Sequence, residues 1–199
     1  MEKNKFLEKI EKSISSWKIE IPKLSNVKYC KKTDLPLDLT FKNNLEGMEG
    51  DDKVYLLSSL EEAKEKIKEK TGQTERILWE HIKPEKPERA KYGIAKAYAF
   101  VADTGSVLLK PKSKKFSWAS LLAEEVFIIG NKNNIYPDLY TMFQSNDVLD
   151  PPYLIVTGSS RTADIEKELV IPAHGPAKLY IMLIPEEPDL NKLYALFSK

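Results

Sequence analysis

From Lys53 onward, short apolar runs alternate along the chain with stretches in which apolar residues recur at helical spacing. The runs are typical of strands buried on both faces, and they predict strands at residues 54–57, 76–81, 94–101, 107–109, 126–129, 153–156 and 179–184. The helical spacing predicts helices at residues 60–70, 135–143, 163–171 and 189–197. Strands that alternate with helices indicate an α/β domain with a mostly parallel sheet.

The first 52 residues follow a different pattern. Apolar residues from Phe6 to Trp17 recur at helical spacing between Lys and Glu, which predicts an amphipathic helix that packs on the body of the protein or on a partner subunit. Residues 18–52 contain prolines and many polar residues without a sustained period, so an arm is expected there. We therefore predict a single domain over residues 1–199, with a helix and arm up to residue 52 and an α/β core after it.

Composition narrows the classes of function. The formal net charge is +1, which indicates no global attraction to nucleic acid or to an anionic membrane. Cys30 is the only cysteine, so neither an internal disulfide nor a cysteine-ligated iron–sulfur cluster is expected in this chain. The two histidines form no H-x-x-x-H pair, so no metal site is predicted. The charged N-terminus does not fit a signal peptide, and no apolar run approaches the ~20 residues of a membrane span; a cytoplasmic location is expected.

One glycine-containing stretch, TGSSRTADIEKELVIPAHGP (residues 157–176), concentrates candidate chemistry. It follows a predicted strand and opens a predicted helix, where free backbone N–H groups and the helix dipole favour an anion. The hydroxyls can donate to phosphate oxygens, and Arg161 adds a fork-shaped donor for phosphate or carboxylate. The candidate ligand-binding residues here are Gly158, Ser159, Ser160, Arg161, Thr162 and Asp164. Ordinary helix capping is the alternative, in which the acidic residues complement the dipole, and the residues alone do not decide between the two.

Two further motifs have a structural and a chemical interpretation. Asp103-Thr104-Gly105-Ser106 has the composition of a tight hairpin turn, yet it also places the Asp103 carboxylate where it could act as acid, base or nucleophile. His174-Gly175-Pro176 forms a rigid corner after the predicted helix. That helix would be about 13 Å long, so His174 and Arg161 are not expected to act as one catalytic pair.

The segment from Thr157 to Ile184 resembles the lactate-utilisation protein C family, also called the LUD domain. That family carries a glycine–proline–serine–x–threonine–alanine–aspartate–isoleucine–glutamate run and then a histidine–glycine–proline corner. The upstream stretches ADTGSVLL (residues 102–109) and SLLAEEVFII (residues 120–129) are similar to the family's hairpin and following strand. Ser159 stands where the family usually has proline, and residues 172–173 are Pro-Ala where it has glycine–valine.

The resemblance implies a three-layer α/β/α fold similar to that of the sugar-phosphate isomerase and coenzyme-A transferase superfamily, with residues 103–106 and 158–162 as two walls of one pocket. It also implies an accessory role in bacterial L-lactate oxidation beside iron–sulfur partner proteins, which would carry all the clusters. The enzyme alternative is chemistry on a phosphorylated or thioester substrate, with Asp103 or Glu166 as acid–base or nucleophile. A third alternative is an oligomerising module that uses the apolar stripe from Phe6 to Trp17.

Overall fold

The structure, a computed structural model, describes residues 34–48, 50–72, 76–82, 88–110, 118–145, 153–160 and 175–197. The described helices are α1 (Leu37–Glu46), α2 (Leu60–Thr71), α3 (Trp118–Leu122), α4 (Leu139–Gln144) and α5 (Leu190–Phe197). The strands are β1 (Lys53–Leu56), β2 (Ile77–Trp79), β3 (Ala90–Val101), β4 (Ser106–Leu109), β5 (Ala123–Asn131), β6 (Ile135–Tyr136), β7 (Leu154–Val156) and β8 (Lys178–Ile184). The predicted helices at residues 6–17 and 163–171 lie outside the described residues.

These strands form one mixed, mostly parallel sheet. Its path runs β1-β8-β5-β3-β4-β7, while β2 and β6 also pair with β3. The pairings along β1, β8, β5 and β3 are parallel, as are those of β2 and β6 with β3. The β3–β4 and β4–β7 pairings are antiparallel. The predicted parallel α/β sheet and the predicted hairpin are therefore both confirmed.

Helices cover both faces of the parallel strands, which explains why those strands are apolar on both sides. Successive side chains of a strand point to opposite faces. Phe127 accordingly packs in a cluster with the apolar faces of α2 and α5, whereas Ile128 packs in a second cluster with Phe41 and Leu45 of α1. The three-layer α/β arrangement is thereby confirmed. None of the described helices is long and apolar enough to cross a membrane.

Helix α1 corrects the prediction of an arm without regular structure up to residue 52. Its buried residues Thr40, Phe41 and Leu45 are spaced for one narrow apolar face, and the Phe41 ring meets the Phe100 ring edge-on at 5.2 Å between centroids. Short helices gain most of their stability from such tertiary packing rather than from propensity. A narrow face of this kind is hard to distinguish from a polar connection in the sequence.

The predicted helix at residues 135–143 is also corrected. Ile135 and Tyr136 instead form β6, in which Ile135 pairs with Phe100 of β3. The helix begins only at Leu139, because Asp138 caps it by accepting a hydrogen bond from the backbone N–H of Thr141 at 2.6 Å. The strand pairing thus overrides the helical spacing of the first residues in this segment.

Candidate functional site

The predicted wall at residues 103–106 includes most of the turn between β3 and β4, residues 102–105, and this turn is held from two sides. The Asn44 amide of α1 donates to the carbonyl oxygens of Ala102 at 2.7 Å and Asp103 at 3.1 Å. The backbone N–H of Asp103 donates to the Pro137 carbonyl at 3.1 Å. Gly105 has φ +62°, and a Cβ there would lie 2.8 Å from the backbone nitrogen of Leu45, so the turn needs glycine both for its backbone and for the close approach of α1.

The second predicted wall, residues 158–162, is described only up to Ser160. We call residues 157–160, which follow β7, the glycine loop. Gly158 has φ +77°, a conformation that favours glycine. The backbone N–H of Ser159 donates to Asp52 Oδ2 at 2.9 Å, and the N–H of Ser160 donates to the carbonyl of Pro176 at 2.8 Å. The other oxygen of Asp52, Oδ1, accepts from the backbone N–H of Leu179 at 2.9 Å. The buried Asp52 carboxylate therefore ties the glycine loop to the beginning of β8.

A chain of three hydroxyl groups joins the two walls. Thr104 Oγ1 lies 2.7 Å from Ser106 Oγ, and Ser106 Oγ lies 2.7 Å from Thr157 Oγ1. Ser106 is only 2% exposed, whereas Thr157 is exposed. The structure thus brings residues 103–106 together with Thr157, which directly precedes Gly158.

The Asp103 carboxyl group lies beside this hydroxyl chain in a partly buried position. Its Oδ1 atom is buried and has no hydrogen-bond partner among the described residues. Burial raises the pKa of Asp103 above its ordinary value of 3.8, and the negative charge of Asp138 raises it further, while hydrogen bonding from Thr104 acts in the opposite direction. Asp103 therefore holds a proton more readily than an ordinary aspartate, as a general acid must.

Both walls follow the carboxyl ends of strands, the turn at residues 102–105 that of β3 and the glycine loop that of β7. The sequence predicts a ligand beyond the carboxyl ends of the strands. Because β7 is antiparallel to β4, which is itself antiparallel to β3, β7 runs in the same direction as β3. The glycine loop is additionally bonded to Asp52, which directly precedes β1, and to Pro176, which precedes β8.

Several predicted site residues lie outside the described residues: Arg161, Thr162, Asp164, Glu166 and His174. Of the predicted corner, Gly175 adopts φ +93°, and Pro176 is buried and accepts the bond from Ser160. Within the described ranges, no group of three or more His, Cys, Asp or Glu side chains is arranged to hold a metal ion. The ligand-binding roles of these residues remain predictions.

Sequence reasoning missed four residues that organise the site: Asn44, Asp52, Asp138 and Thr157. Thr157 directly precedes Gly158 and could have been included for its hydroxyl alone. Asp138 follows a proline and precedes an apolar helix, which is a helix-cap signal. Asn44 and Asp52 act over more than 50 residues of sequence, and no local pattern reveals such partners.

Comparisons with known proteins agree with this fold. A family model described as LUD domain matches residues 83–184, which include both walls. Lactate utilization protein C from Bacillus subtilis is 32% identical over 114 residues, which cover 54% of this chain and 47% of that protein. Its counterpart from Macrococcus caseolyticus is 29% identical over 107 residues, covering 50% of this chain and 46% of that protein. The chain thus spans about half the length of the curated relatives it matches.

A solved structure gives independent support for the fold. The crystal structure of a DUF162 family protein from Deinococcus radiodurans superposes with a TM-score of 0.56, covering 74% of this chain and 96% of that chain. Sequence identity is only 13%, so this similarity concerns the fold alone.

Proposed function

The chain belongs to the LUD domain family, and we propose that it serves as an accessory subunit of an L-lactate utilisation system. The curated relatives named Lactate utilization protein C support this assignment. Electrons from lactate oxidation would pass to iron–sulfur clusters on partner proteins, because a chain with one cysteine, Cys30, cannot supply four thiolate ligands. The contribution of this subunit is then binding and assembly rather than redox chemistry.

The same proposal includes a small anionic ligand at the two walls. The observation that carries it is the hydroxyl chain that joins Thr104, Ser106 and Thr157, since hydroxyls are suitable donors to carboxylate or phosphate oxygens. Thr157, the exposed end of the hydroxyl chain, lies next to Gly158, which has a positive φ angle of +77°. Arg161, three residues after Gly158, would add a positive charge.

The enzyme alternative rests on a specific observation at Asp103. A carboxyl group with a raised pKa and an unpartnered buried oxygen can transfer a proton to or from a substrate. Chemistry on a phosphorylated or thioester substrate would use Asp103 as acid–base or nucleophile, with Glu166 as the other candidate. Under this alternative, Asp103→Asn would abolish turnover of an identified substrate and preserve its binding.

Growth tests the proposed system. Deletion of the gene for this chain should prevent growth on L-lactate as sole carbon source and leave growth on glucose unchanged, and the wild-type gene should restore it. The affinity-tagged chain, purified from lactate-grown cells, should carry proteins that contain iron and acid-labile sulfide. Normal growth of the deletion strain on L-lactate would contradict the proposal.

Thermal stability tests the ligand. The purified chain is heated with L-lactate, inorganic phosphate, a sugar phosphate or coenzyme A, at concentrations up to the solubility limit. A ligand at 100 times its dissociation constant adds about 2.7 kcal/mol, or roughly 5–10 °C for a chain of this size. The shift should shrink in Thr157→Val and Arg161→Ala. It should persist in the control Thr71→Val, because the buried hydroxyl of Thr71 bonds only within and at the end of its own helix. A response to coenzyme A or to the sugar phosphate alone would favour the enzyme alternative.

A further inference from the structure

The hydroxyl chain has one hydrogen more than its internal contacts can use. Each hydroxyl group carries one hydrogen and accepts through its lone pairs. Three hydroxyls linked by two contacts of 2.7 Å consume two hydrogens and leave the third at one end of the chain. Ser106 occupies the middle and is buried, so the remaining hydrogen is carried by either Thr104 or Thr157.

The two ends of the chain face different surroundings. Thr104 adjoins the Asp103 carboxyl group, whose negative charge attracts a hydroxyl hydrogen. Thr157 is exposed at the start of the glycine loop. Reversing the chain requires only rotation of hydroxyl groups, and neighbouring hydrogen bonds in such a network polarise one another. The chain therefore has two alternative orientations of similar geometry.

We propose that the ionisation state of Asp103 sets the orientation of this hydroxyl chain, so that Thr157 donates a hydrogen bond to an anionic ligand oxygen only while Asp103 is neutral. When Asp103 is ionised, the free hydrogen lies at Thr104 and Thr157 presents lone pairs, which repel an anion. Binding of a carboxylate or phosphate at the glycine loop is then coupled to uptake of one proton by Asp103. The linkage is reciprocal, because an anion at Thr157 must also favour the neutral form of Asp103.

The charged surroundings of Asp103 support a titration above the usual range of aspartate. Of the described elements that pack on it, the segment before α4 contributes the carboxylate of Asp138, while α1 contributes only the uncharged amide of Asn44. The glycine loop is connected to Asp103 through the uncharged hydroxyls of Thr157, Ser106 and Thr104. Burial and the Asp138 charge both favour the neutral form, which brings the switch closer to physiological pH.

The coupling can be measured without any ligand, and only the identity of the bound anion rests on the proposed function. The carboxyl carbon of Asp103 is titrated by NMR in the full chain, as wild type, Thr157→Val and Thr157→Ser. In the orientation that accompanies neutral Asp103, the Ser106 hydroxyl donates to Thr157. Valine removes this acceptor and so disfavours the neutral form, and the pKa of Asp103 should fall in Thr157→Val. Serine restores the hydroxyl and should return the pKa to the wild-type value. An unchanged titration of Asp103 in Thr157→Val would overturn the inference.

A double-mutant cycle separates transmission along the chain from local rearrangement. Ser106→Ala cuts the chain in the middle, and in that background Thr157→Val should cause no further change in the Asp103 titration. A further change of the same size as in the wild-type background would show that Thr157 acts by another route and would overturn the proposed relay. Thr71→Val controls for loss of a buried hydroxyl elsewhere and should leave Asp103 unaffected.

Sulfate then tests the ligand class, since its charge is constant across the titration of Asp103. The amide resonance of Gly158 reports its binding below and above the Asp103 midpoint. The dissociation constant should be about tenfold smaller at the lower pH, because a hydrogen bond to a charged group contributes about that factor. Thr157→Val should remove this dependence. If Thr157 and Asp103 are coupled but sulfate leaves Gly158 unchanged at both pH values, anion recognition at this loop is refuted while the relay stands.

Discussion

Replacing Asp52 with asparagine tests whether one buried carboxylate holds the candidate site together. Asp52 is 2% exposed, and its two oxygens accept separate backbone hydrogen bonds from Ser159 and Leu179, each at 2.9 Å. Asparagine has nearly the same shape but only one acceptor oxygen, so its amide group must face one of the two N–H donors. One buried backbone N–H then loses its acceptor, and the NH₂ group of the asparagine, itself a donor, faces it.

The magnitude follows from the number of donors that lose a partner. A buried polar group without a partner costs about 1–3 kcal/mol, so Asp52→Asn should lower the free energy of unfolding by that amount. Asp52→Ala leaves both donors unpartnered and should cost roughly 2–6 kcal/mol, a large share of the ~5–15 kcal/mol that stabilises a typical domain. At ~2–4 °C per kcal/mol for a chain of this size, the asparagine variant should melt roughly 2–12 °C below wild type.

Urea unfolding, followed by circular dichroism and tryptophan fluorescence, measures the effect. The midpoint should fall while the dependence of the free energy on urea stays constant, because the same surface is exposed on unfolding. The matched control is Asp51→Asn at the neighbouring position. The side chain of Asp51 is 77% exposed and meets Lys178 at 3.1 Å, and an exposed ion pair of this kind contributes little, so no change in midpoint is expected. Equal midpoints for Asp52→Asn and wild type would refute the assignment of Asp52 as the anchor of the loop.

Three further changes probe the neighbourhood of the site. Asp103→Asn should raise the melting temperature at pH 7, because ionising a carboxyl group whose folded pKa is raised destabilises the fold. That gain should shrink as the pH falls through the raised folded pKa and vanish below 3.8, where wild-type Asp103 is neutral in both states. Gly105→Ala should destabilise by at least ~1–2 kcal/mol in urea unfolding, since φ +62° strains alanine and its Cβ would lie 2.8 Å from the backbone of Leu45. Lys42→Ala with Glu46→Ala should promote self-association in light scattering, because these side chains cover outward-facing backbone groups of β1.

The outcomes that would contradict these expectations are equally specific. A melting difference between Asp103→Asn and wild type that is constant from pH 4 to pH 7 would show that Asp103 does not titrate differently in the fold. Wild-type stability of Gly105→Ala would mean that the turn does not need glycine. The control for the Lys42 and Glu46 variant is Lys66→Ala with Glu69→Ala, which removes an ion pair of 2.9 Å on α2. Association caused equally by both double variants would exclude protection of the edge of β1 as its cause.

Local sequence patterns were sufficient to predict β1, β2, β3, β5 and β8 and the helices α2 and α5, but neither β6 nor α1. Leu179 and the residues after it form a strand that is apolar on both faces, and Ser59 and Gly72 bracket α2 as cap residues do. These features depend on near neighbours in the sequence. Propensity failed at Ile135, because its pairing with Phe100 of β3 is a tertiary contact that no local pattern contains.

The residues of the candidate site likewise include some that local sequence reveals and some that it does not. Asp103, Ser106 and Gly158 could be selected from the sequence, because turns require particular residue types. Asn44 and Asp52 could not, since each is a polar residue in a polar stretch until the fold places it beside a backbone group distant in sequence. Buried polar side chains that bond distant backbone atoms are the part of a site that sequence reasoning is least able to find.

The distribution of unsatisfied polar groups explains why the two walls, rather than the N-terminus of α2, are the better place for a ligand. At the carboxyl edge, where β1 and β8 end, the N-terminus of α2 is already filled: Glu186 accepts from the N–H of Leu60 at 2.9 Å, and Ser59 accepts from that of Glu62 at 3.2 Å. An anion there would have to displace a carboxylate and a hydroxyl group of the protein itself. At the two walls, Asp103 Oδ1 is buried without a partner among the described residues, and the hydroxyl chain has one hydrogen that its own two contacts do not use. A ligand that supplies one donor and one acceptor would satisfy both groups, so its binding there gains hydrogen bonds that the unliganded protein lacks.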